Sequence, residues 1–270
     1  RGNDMSNQGR IQQAARFVFE ERQTRNPFGP IPATFAPRTI DEAYAAQDEL
    51  HKLLADTYGP LAGYKIALTT RAMQQMVGLN DPVAAGILKK TIHHSPATIP
   101  SAEFDHLGIE CEIALQLGAD LSPDMAPYSR DRVANAVSAA MVAFELIDDR
   151  HADYSTLAEQ FLTSIVDNVF NAGIVLGTPQ IDWQRVDLAA ARGELSINGE
   201  SAGEGHGSDV MGHPLEALVW LANTLAKQGK GLTRGMIVMT GSVVTTKFLK
   251  PGDSAMLMVD GLGEAKLKVS

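Results

Sequence analysis

Two glutamates, Glu110 and Glu112, interrupt an apolar segment, residues 109–117, whose alternation is typical of a β-strand. Side chains alternate between the faces of a strand, so both carboxylates point to one face and Cys111 points to the other. The carboxylates would lie about 7 Å apart along the strand and repel each other unless a cation lies between them. The pair therefore predicts either a solvated sheet face or a site for a hard divalent cation such as Mg²⁺.

A third glutamate and a lysine occur in similar apolar surroundings. Glu145 lies in the strand-like residues 143–147, and a glutamate is rarely buried unless it is paired. It is therefore either the partner of an arginine such as Arg150 or a third ligand for the cation. Lys65, within the apolar residues 61–68, is either an exposed edge residue or a buried cation that binds a carboxylate or stabilises an enolate.

Composition excludes several classes of protein. The 270 residues carry 23 Lys and Arg against 32 Asp and Glu, and this formal charge of −9 argues against a nucleic-acid partner. One cysteine permits neither an intrachain disulfide nor a Cys-rich zinc site. The sequence shows neither an apolar run of membrane-spanning length nor a signal-peptide pattern at its start. We therefore expect a soluble cytoplasmic protein with no membrane contact.

Local patterns predict an α+β fold that begins with helices. Helical spacing predicts helices over residues 8–25 and 39–59, so residues 1–60 are interpreted as a helical N-terminal lead-in. Residues 61–270 are interpreted as a β-rich domain, and the two parts are expected to form one structural unit. Further helices are predicted over residues 71–77, 129–142 and 213–227, and strands over residues 61–68, 109–117, 144–147, 172–176, 195–197, 237–239, 255–259 and 266–269.

Other polar segments leave more than one interpretation open. Asp167 and Asn168 end an apolar helix just before a strand, which indicates either a left-handed helix end at Asn168 or a supporting role beside the site. The glycine-rich residues 203–207 precede no apolar helix and are interpreted as a mobile loop. Ser242 lies outside the Gly-x-Ser-x-Gly pattern, and the histidines, including a predicted loop pair at residues 93–94, form no metal or triad pattern.

Six short segments occur in a characteristic order, at residues 63–66, 109–115, 144–148, 166–168, 212–215 and 239–242. Together they resemble the branch of the fumarylacetoacetate hydrolase superfamily that contains 2-oxopent-4-enoate hydratases and 4-oxalocrotonate decarboxylases. The likeness extends from about Thr39 to Val269. Each motif alone is weak, whereas six in order indicate the family without indicating one reaction.

The resemblance implies a curved, mixed, β-rich sheet around an active site in residues 61–270. It implies Mg²⁺ or Mn²⁺ held by Glu110, Glu112 and Glu145, and a catalytic Lys65 that holds the carboxylate or enolate oxygen of a 2-oxo acid. It further implies a cytoplasmic homo-oligomer in the meta-cleavage catabolism of aromatic compounds, which we expect to associate with another enzyme of that pathway. Additional substrate contacts are expected from Leu68, Asp167, Phe170, Thr240, Gly241 and Ser242.

The chain departs from the family pattern at two polar positions. Hydratases of this family carry an Asp in a Pro-Asp-x-Gly pattern, whereas residues 81–86 here read Asp-Pro-Val-Ala-Ala-Gly. Asp81 is the remaining candidate for that catalytic role. Phe170 stands where the family has a serine. Both changes indicate a more apolar pocket and a substrate tail different from that of hydroxypentadienoate.

The expected activity is that of a metal-dependent lyase that hydrates a 2-hydroxy-2,4-dienoate through a stabilised enolate. Decarboxylation of a 2-oxohex-3-enedioate-like acid is the alternative, because residues 83–85 are apolar and this reaction needs no base to activate water. Hydrolysis of a C–C bond in an acylpyruvate ranks lower, because no His–Glu pair lies near the metal motifs. A non-catalytic paralogue ranks last, since paired glutamates on an apolar strand are costly without their cation.

Overall fold

The computed structural model describes residues 6–270. Residues 1–5, where the sequence shows no signal-peptide pattern, lie outside the described residues. The helices are α1 (Asn7–Gln23), α2 (Ile40–Tyr58), α3 (Arg71–Met76), α4 (Arg130–Ala136), α5 (Phe161–Val166) and α6 (Pro214–Lys227). The strands are β1 (Leu61–Ala67), β2 (Val83–Leu88), β3 (Ile92–His94), β4 (Ala97–Ile99), β5 (Leu107–Leu117), β6 (Val137–Asp148), β7 (Asn171–Leu176), β8 (Arg192–Ile197), β9 (Glu200–His206), β10 (Ile237–Phe248), β11 (Ser254–Val259) and β12 (Gly263–Val269). This mixture confirms the predicted α+β class.

The strands form two sheets. The larger has seven strands in the order β2-β1-β10-β5-β6-β7-β3, and the smaller has five in the order β4-β12-β11-β8-β9. Both are mixed, since β1 runs parallel to β10 and β4 runs parallel to β12 among otherwise mostly antiparallel pairs. The larger sheet is curled: Lys65 on β1 reaches Glu145 on β6, although β10 and β5 lie between their strands. The curved, mixed, β-rich sheet is therefore confirmed.

The N-terminal helices pack against the edge of the curled sheet that contains β2. Apolar side chains of α1, α2 and α5 share one buried cluster with residues of β2. Within it, the buried Gln47 amide of α2 donates to the carbonyls of Ala84 at 3.1 Å and Ile165 at 2.8 Å, tying α2 to β2 and α5. The division at residue 60 stays a prediction. Among the described helices, none combines the length and apolar character needed to cross a membrane.

The helix predicted over residues 129–142 is wrong in its second half. The helix α4 ends at Ala136, and residues 137–142 begin β6, which pairs with β5 along its length. Both faces of this part of β6 are largely buried, so its apolar residues form a continuous run. A continuous apolar run has no distinct period, and the pairing with β5 decides its conformation.

Two predicted loops are also strands. The glycine-rich residues 203–207, predicted as a mobile loop, lie mostly in β9, which pairs with β8. A side chain at Gly205 would place its Cβ 1.8 Å from the carbonyl oxygen of Val243, so glycine permits the close approach of β9 to β10. Residues 93–94 lie in β3, which pairs with β7.

Candidate metal and substrate site

Strand pairing brings the three predicted glutamates together inside the curled sheet. Glu110 on β5 lies directly opposite Glu145 on β6, and Glu112 follows on the same face of β5. One carboxylate oxygen from each residue lies within 4.8 Å of the other two. Among the described residues, this is the one group of three or more His, Cys, Asp or Glu side chains close enough to share a metal ion.

The hydrogen bonds of these carboxylates leave oxygen atoms for a ligand. Glu112 is fully buried, and its Oε1 has no hydrogen-bond partner, nor does Oε2 of the fully buried Glu145. An unpaired buried carboxylate oxygen is costly unless a cation satisfies it. Carboxylate oxygens are also the ligands that Mg²⁺ and Mn²⁺ prefer. The three glutamates therefore fit a divalent cation and could hold one.

Two other carboxylate oxygens accept hydrogen bonds from residues that the sequence reasoning missed. Asn171 Nδ2 donates to Glu145 Oε1 at 3.0 Å, and the Thr246 hydroxyl donates to Glu110 Oε1 at 2.9 Å. These groups lie on β7 and β10, so only the long-range pairing of the strands places them beside the glutamates. Both orient a carboxylate without supplying charge, which is what partners of metal ligands commonly do.

Lys65 lies inside the cluster and is not an exposed edge residue. It is 2% exposed, and its Nζ lies 3.0 Å from Glu145 Oε1. Burial opposes the charge of this ammonium, but the neighbouring Glu145 and Glu110 outweigh it and raise the pKa of Lys65 above its ordinary value. Lys65 is therefore a buried cation, and the alternative in which Glu145 pairs with Arg150 is wrong.

Without a cation, burial and mutual repulsion disfavour the charged form of these carboxylates. Burial, followed by the nearby Glu145, raises the pKa of Glu110 to about 7 from its ordinary value of 4.5. Burial likewise raises the pKa of Glu112 well above its ordinary value. One lysine thus faces three carboxylates, and a bound divalent cation would supply the missing positive charge.

This charge state predicts how the stability of the metal-free protein depends on pH. The pKa of Glu110 is higher in the folded protein, so the folded state holds the proton more tightly and loses stability as pH rises from about 4.5 to about 7. The limiting slope is about 1.4 kcal/mol per pH unit. We expect urea unfolding in EDTA to show a smaller effect of pH on Glu110→Gln. Over this range its free energy of unfolding should fall by about 2 kcal/mol less than that of the native protein. Equal losses would contradict the prediction.

Asp167 forms ion pairs with two arginines. Arg22 donates to Oδ1 and Arg150 donates to Oδ2, each at 2.8 Å, and the carboxylate is 1% exposed. Burial raises the pKa of Asp167, although both arginines oppose the rise. Because each oxygen already accepts a guanidinium hydrogen bond, the structure favours a supporting role. The predicted substrate contact of Asp167 is untested and stays a prediction.

The next residue, Asn168, supports the sheet beside the site. Its φ of 57° confirms the left-handed conformation predicted for it. Its side chain accepts from the backbone N–H of Gly86 at 2.8 Å and donates to the carbonyl of Gly86 at 2.9 Å, and His51 Nε2 lies 2.7 Å from the same Oδ1. Asn168 therefore fixes β2 next to the strand that carries Lys65.

Removing the Asp167 carboxylate should destabilise the protein strongly. We expect Asp167→Ala to lower the free energy of unfolding by about 3–5 kcal/mol, because two guanidinium groups lose their counter-charge in a largely buried position. Denaturant unfolding measures the change. Lys52→Ala is the matched control: its ion pair with Glu49 is exposed, with 70% of the lysine side chain accessible, and its loss should lower the free energy of unfolding far less than Asp167→Ala does. Similar losses for both variants would contradict the prediction.

The other predicted substrate residues lie in different surroundings. The backbone N–H of Gly241 donates to Glu112 Oε2 at 2.9 Å, at a φ of 126° that favours glycine. The hydroxyls of Thr240 and Ser242 donate to main-chain carbonyls, and the carbonyl of Leu68 accepts a side-chain amide at 2.9 Å. Of these, Gly241 contacts the glutamate cluster directly, and the substrate contacts of all four stay predictions.

Phe170 and Asp81 lie outside the hydrogen-bonded cluster. Phe170 is buried and packs edge-to-face on Phe28, with 5.0 Å between the ring centroids. Asp81 is exposed and lines a cavity of about 950 Å³ between α2 and α6, to which none of the three glutamates contributes. The catalytic role of Asp81 and the substrate contact of Phe170 stay predictions.

Comparisons with known proteins agree with this geometry. Residues 76–270 match the family model described as fumarylacetoacetate (FAA) hydrolase C-terminal. The chain is 29% identical over 255 residues to a 2-keto-4-pentenoate hydratase of Paraburkholderia xenovorans (strain LB400), covering 94% of this chain and 93% of the relative. It is 31% identical over 245 residues to a 2-oxo-hept-4-ene-1,7-dioate hydratase of Escherichia coli, covering 89% and 90%.

A solved structure shows the same fold over almost the whole chain. It is the 4-oxalocrotonate decarboxylase from Pseudomonas putida G7, complexed with magnesium and adipate. The TM-score is 0.88 at 23% sequence identity, and the match covers 96% of this chain and 97% of the decarboxylase. The similarity includes the N-terminal helices, which precede the region matched by the family model.

Proposed function

The chain belongs to the fumarylacetoacetate hydrolase family, and on this basis we propose that it is a divalent-metal-dependent lyase that hydrates a 2-hydroxy-2,4-dienoate. The observation that carries the proposal is the convergence of three glutamates and one buried lysine inside the curled sheet. Similarity over about nine-tenths of the chain to enzymes named as hydratases favours this reaction within the family. The natural substrate would therefore be a 2-oxo acid or its dienol.

The glutamates and the lysine of the cluster have different proposed roles. Glu110, Glu112 and Glu145 would hold the cation, which when bound supplies Lewis-acid polarisation of a 2-oxo group. Lys65 has three N–H donors and uses one on Glu145, so it can donate to the substrate carboxylate or to the oxygen that gains negative charge. Because Lys65 is buried, its charge acts in a low dielectric and stabilises an enolate oxygen more strongly than it would in water.

Decarboxylation of a 2-oxohex-3-enedioate-like acid is the second candidate. It is favoured by the apolar wall beside Lys65, where the buried Ala85 pairs with it across β1 and β2. Loss of CO₂ into an enolate needs the same stabilised oxygen and no water-activating group on that wall. C–C hydrolysis of an acylpyruvate and a non-catalytic role rank below both reactions.

Matched substrates distinguish these reactions. The Mg²⁺-loaded protein is incubated with 2-hydroxypenta-2,4-dienoate, and formation of the 4-hydroxy-2-oxo acid is followed by NMR. Release of CO₂ from 2-oxohex-3-enedioate is measured in parallel. We expect kcat/KM for hydration to exceed that for decarboxylation. The reverse ranking would assign the chain to decarboxylation, and turnover of an acylpyruvate alone would assign it to hydrolysis.

The proposal extends to the oligomeric state of the protein and its place in the cell. We propose a cytoplasmic homo-oligomer that acts on a product of aromatic ring cleavage and associates with a neighbouring enzyme of that pathway. The family resemblance supports this assignment. Light scattering on the purified protein tests the oligomeric state, and a chain that stays monomeric at micromolar concentration would contradict it.

A further inference from the structure

A group of polar and aromatic side chains borders the site without holding the glutamates. His106 precedes β5, whereas Asp149, His151 and Tyr154 follow β6. His106 Nδ1 lies 2.7 Å from Oδ1 of the buried Asp149, and the Tyr154 hydroxyl donates to Oδ2 at 2.9 Å. The backbone N–H of His151 also donates to Asp149 Oδ1, at 3.0 Å. Burial and then Asp149 raise the pKa of Tyr154, and the charge of Glu110 adds to the rise.

The His106 ring is held in one orientation. It stacks on Phe248 with 3.9 Å between centroids and on His151 with 4.4 Å. Because Nδ1 donates to the Asp149 carboxylate, Nε2 of the neutral ring is the acceptor, and it has no hydrogen-bond partner among the described side chains. A buried carboxylate that orients an imidazole in this way is how enzymes prepare a general base.

These rings lie beside the face of β5 that carries the glutamates. Phe248 lies opposite Gly108 in the β10–β5 pairing, and Gly108 shares its face of β5 with Glu110, about 7 Å away along the strand. A Cβ at Gly108 would lie 2.7 Å from Ile147 Cγ1 and 3.1 Å from Phe248 Cε1, so the Ile147 side chain and the Phe248 ring both cover this face. Exposure increases outward from the buried Glu112, through the half-buried Glu110, to His106, whose side chain is 33% exposed. Of these three residues, His106 is the one at the exposed end of the series.

We propose that His106, oriented by Asp149, is the base that activates water for addition to C4 of the substrate. The inference rests on the proposed hydratase function. It also provides the water-activating group that the apolar residues 83–85 cannot supply.

The proposed reaction has three steps. Protonation of the dienol at C5 and loss of its hydroxyl proton give a 2-oxo-3-ene. His106 Nε2 takes a proton from water as the water oxygen bonds to C4, and the C3=C4 π pair moves to C2–C3, leaving negative charge on the 2-oxo oxygen. The proton on Nε2 then passes to C3 and the 2-oxo group reforms. The net change is the addition of one water molecule.

The first test separates water addition from the preceding ketonisation. In Mg²⁺-loaded protein, we expect His106→Gln to lower kcat for hydration about 10²- to 10⁴-fold, while ketonisation of 2-hydroxypenta-2,4-dienoate still exceeds the rate without protein. The 2-oxo-3-ene should therefore accumulate in the NMR spectrum. His94→Gln is the matched control, because this histidine is exposed on β3 and belongs to neither the glutamate cluster nor the group around Asp149, and it should leave hydration close to the native rate.

The outcomes distinguish the inference from the proposed function. Hydration by His106→Gln at the native rate, or equal loss of ketonisation and hydration, would overturn the role of His106. A native protein that neither ketonises nor hydrates the dienoate would instead remove the proposed function on which the inference rests.

A second test does not depend on turnover. The ¹⁵N NMR spectrum of the neutral His106 ring, assigned by its loss in His106→Gln, should show a proton on Nδ1 and none on Nε2. Asp149→Asn can donate its amide to Nδ1, so it should move the proton to Nε2 and lower hydration as His106→Gln does. A native ring protonated on Nε2 would overturn the proposal, because that nitrogen could not accept a proton from water.

Discussion

Glu112→Gln is expected to reduce turnover of a 2-hydroxy-2,4-dienoate about a thousandfold and to abolish measurable Mn²⁺ binding in calorimetry. Glu112 is fully buried, and its Oε1 is free for a cation while Oε2 accepts from Gly241. An amide keeps the shape and the Gly241 hydrogen bond but removes the charge. Lewis-acid stabilisation is worth several kcal/mol in a transition state, and about 4 kcal/mol corresponds to a thousandfold in rate.

The same substitution should leave the metal-free fold intact. A buried carboxylate with a raised pKa is unfavourable without a cation, so the melting temperature of Glu112→Gln in EDTA should equal or exceed that of the native protein. Glu200→Gln, at an exposed position on β9, is the control and should change neither binding nor turnover. Native Mn²⁺ affinity in Glu112→Gln would contradict the assignment of this glutamate as a metal ligand.

Lys65→Met is expected to give the opposite combination of results. Turnover should fall about a hundredfold or more, because an enolate oxygen loses a buried positive charge. Mn²⁺ affinity should stay the same or increase, because Glu145 Oε1 no longer shares its charge with the ammonium. Calorimetry and steady-state kinetics on the same preparation measure both effects.

A control variant and a stability measurement show whether these effects come from the loss of the buried charge of Lys65. Lys52→Met removes an exposed lysine of α2 and should affect neither quantity. The metal-free Lys65→Met protein should be less stable by about 3–5 kcal/mol, because three carboxylates lose a buried partner. Kinetics are therefore measured with saturating Mn²⁺. Parallel loss of metal affinity and turnover would show that Lys65 organises the metal site and has no separate role toward the substrate.

Local patterns in the sequence predicted the parts of the site that lie within a single strand. Alternation along β5 placed Glu110 and Glu112 on one face and Cys111 in the core, where it is 1% exposed. For Glu145, in contrast, the residues alone left two interpretations, a third ligand or the partner of an arginine, and the family resemblance favoured the ligand. Its contact with Glu110 depends on the β5–β6 register, which local alternation does not determine.

Contacts between distant segments account for what the sequence reasoning missed. Asn171, Thr246 and Asp149 have no local pattern that marks them, because each acquires its partner only when separate strands or their ends meet. The helix wrongly predicted over residues 129–142 has the same cause. Its apolar residues satisfy a helical spacing, but burial on both faces of β6 and pairing with β5 make them a strand.

The opposition of Glu110 and Glu145 across β5 and β6 also affects how preparations of this protein should be quantified. A slip of one residue in this pairing would turn the side chains of one strand to the other face, so the carboxylates could no longer meet. Chains with a shifted register would bind no metal instead of binding it weakly. The number of metal ions bound per chain should therefore count correctly paired molecules, and specific activity is best expressed per bound metal ion.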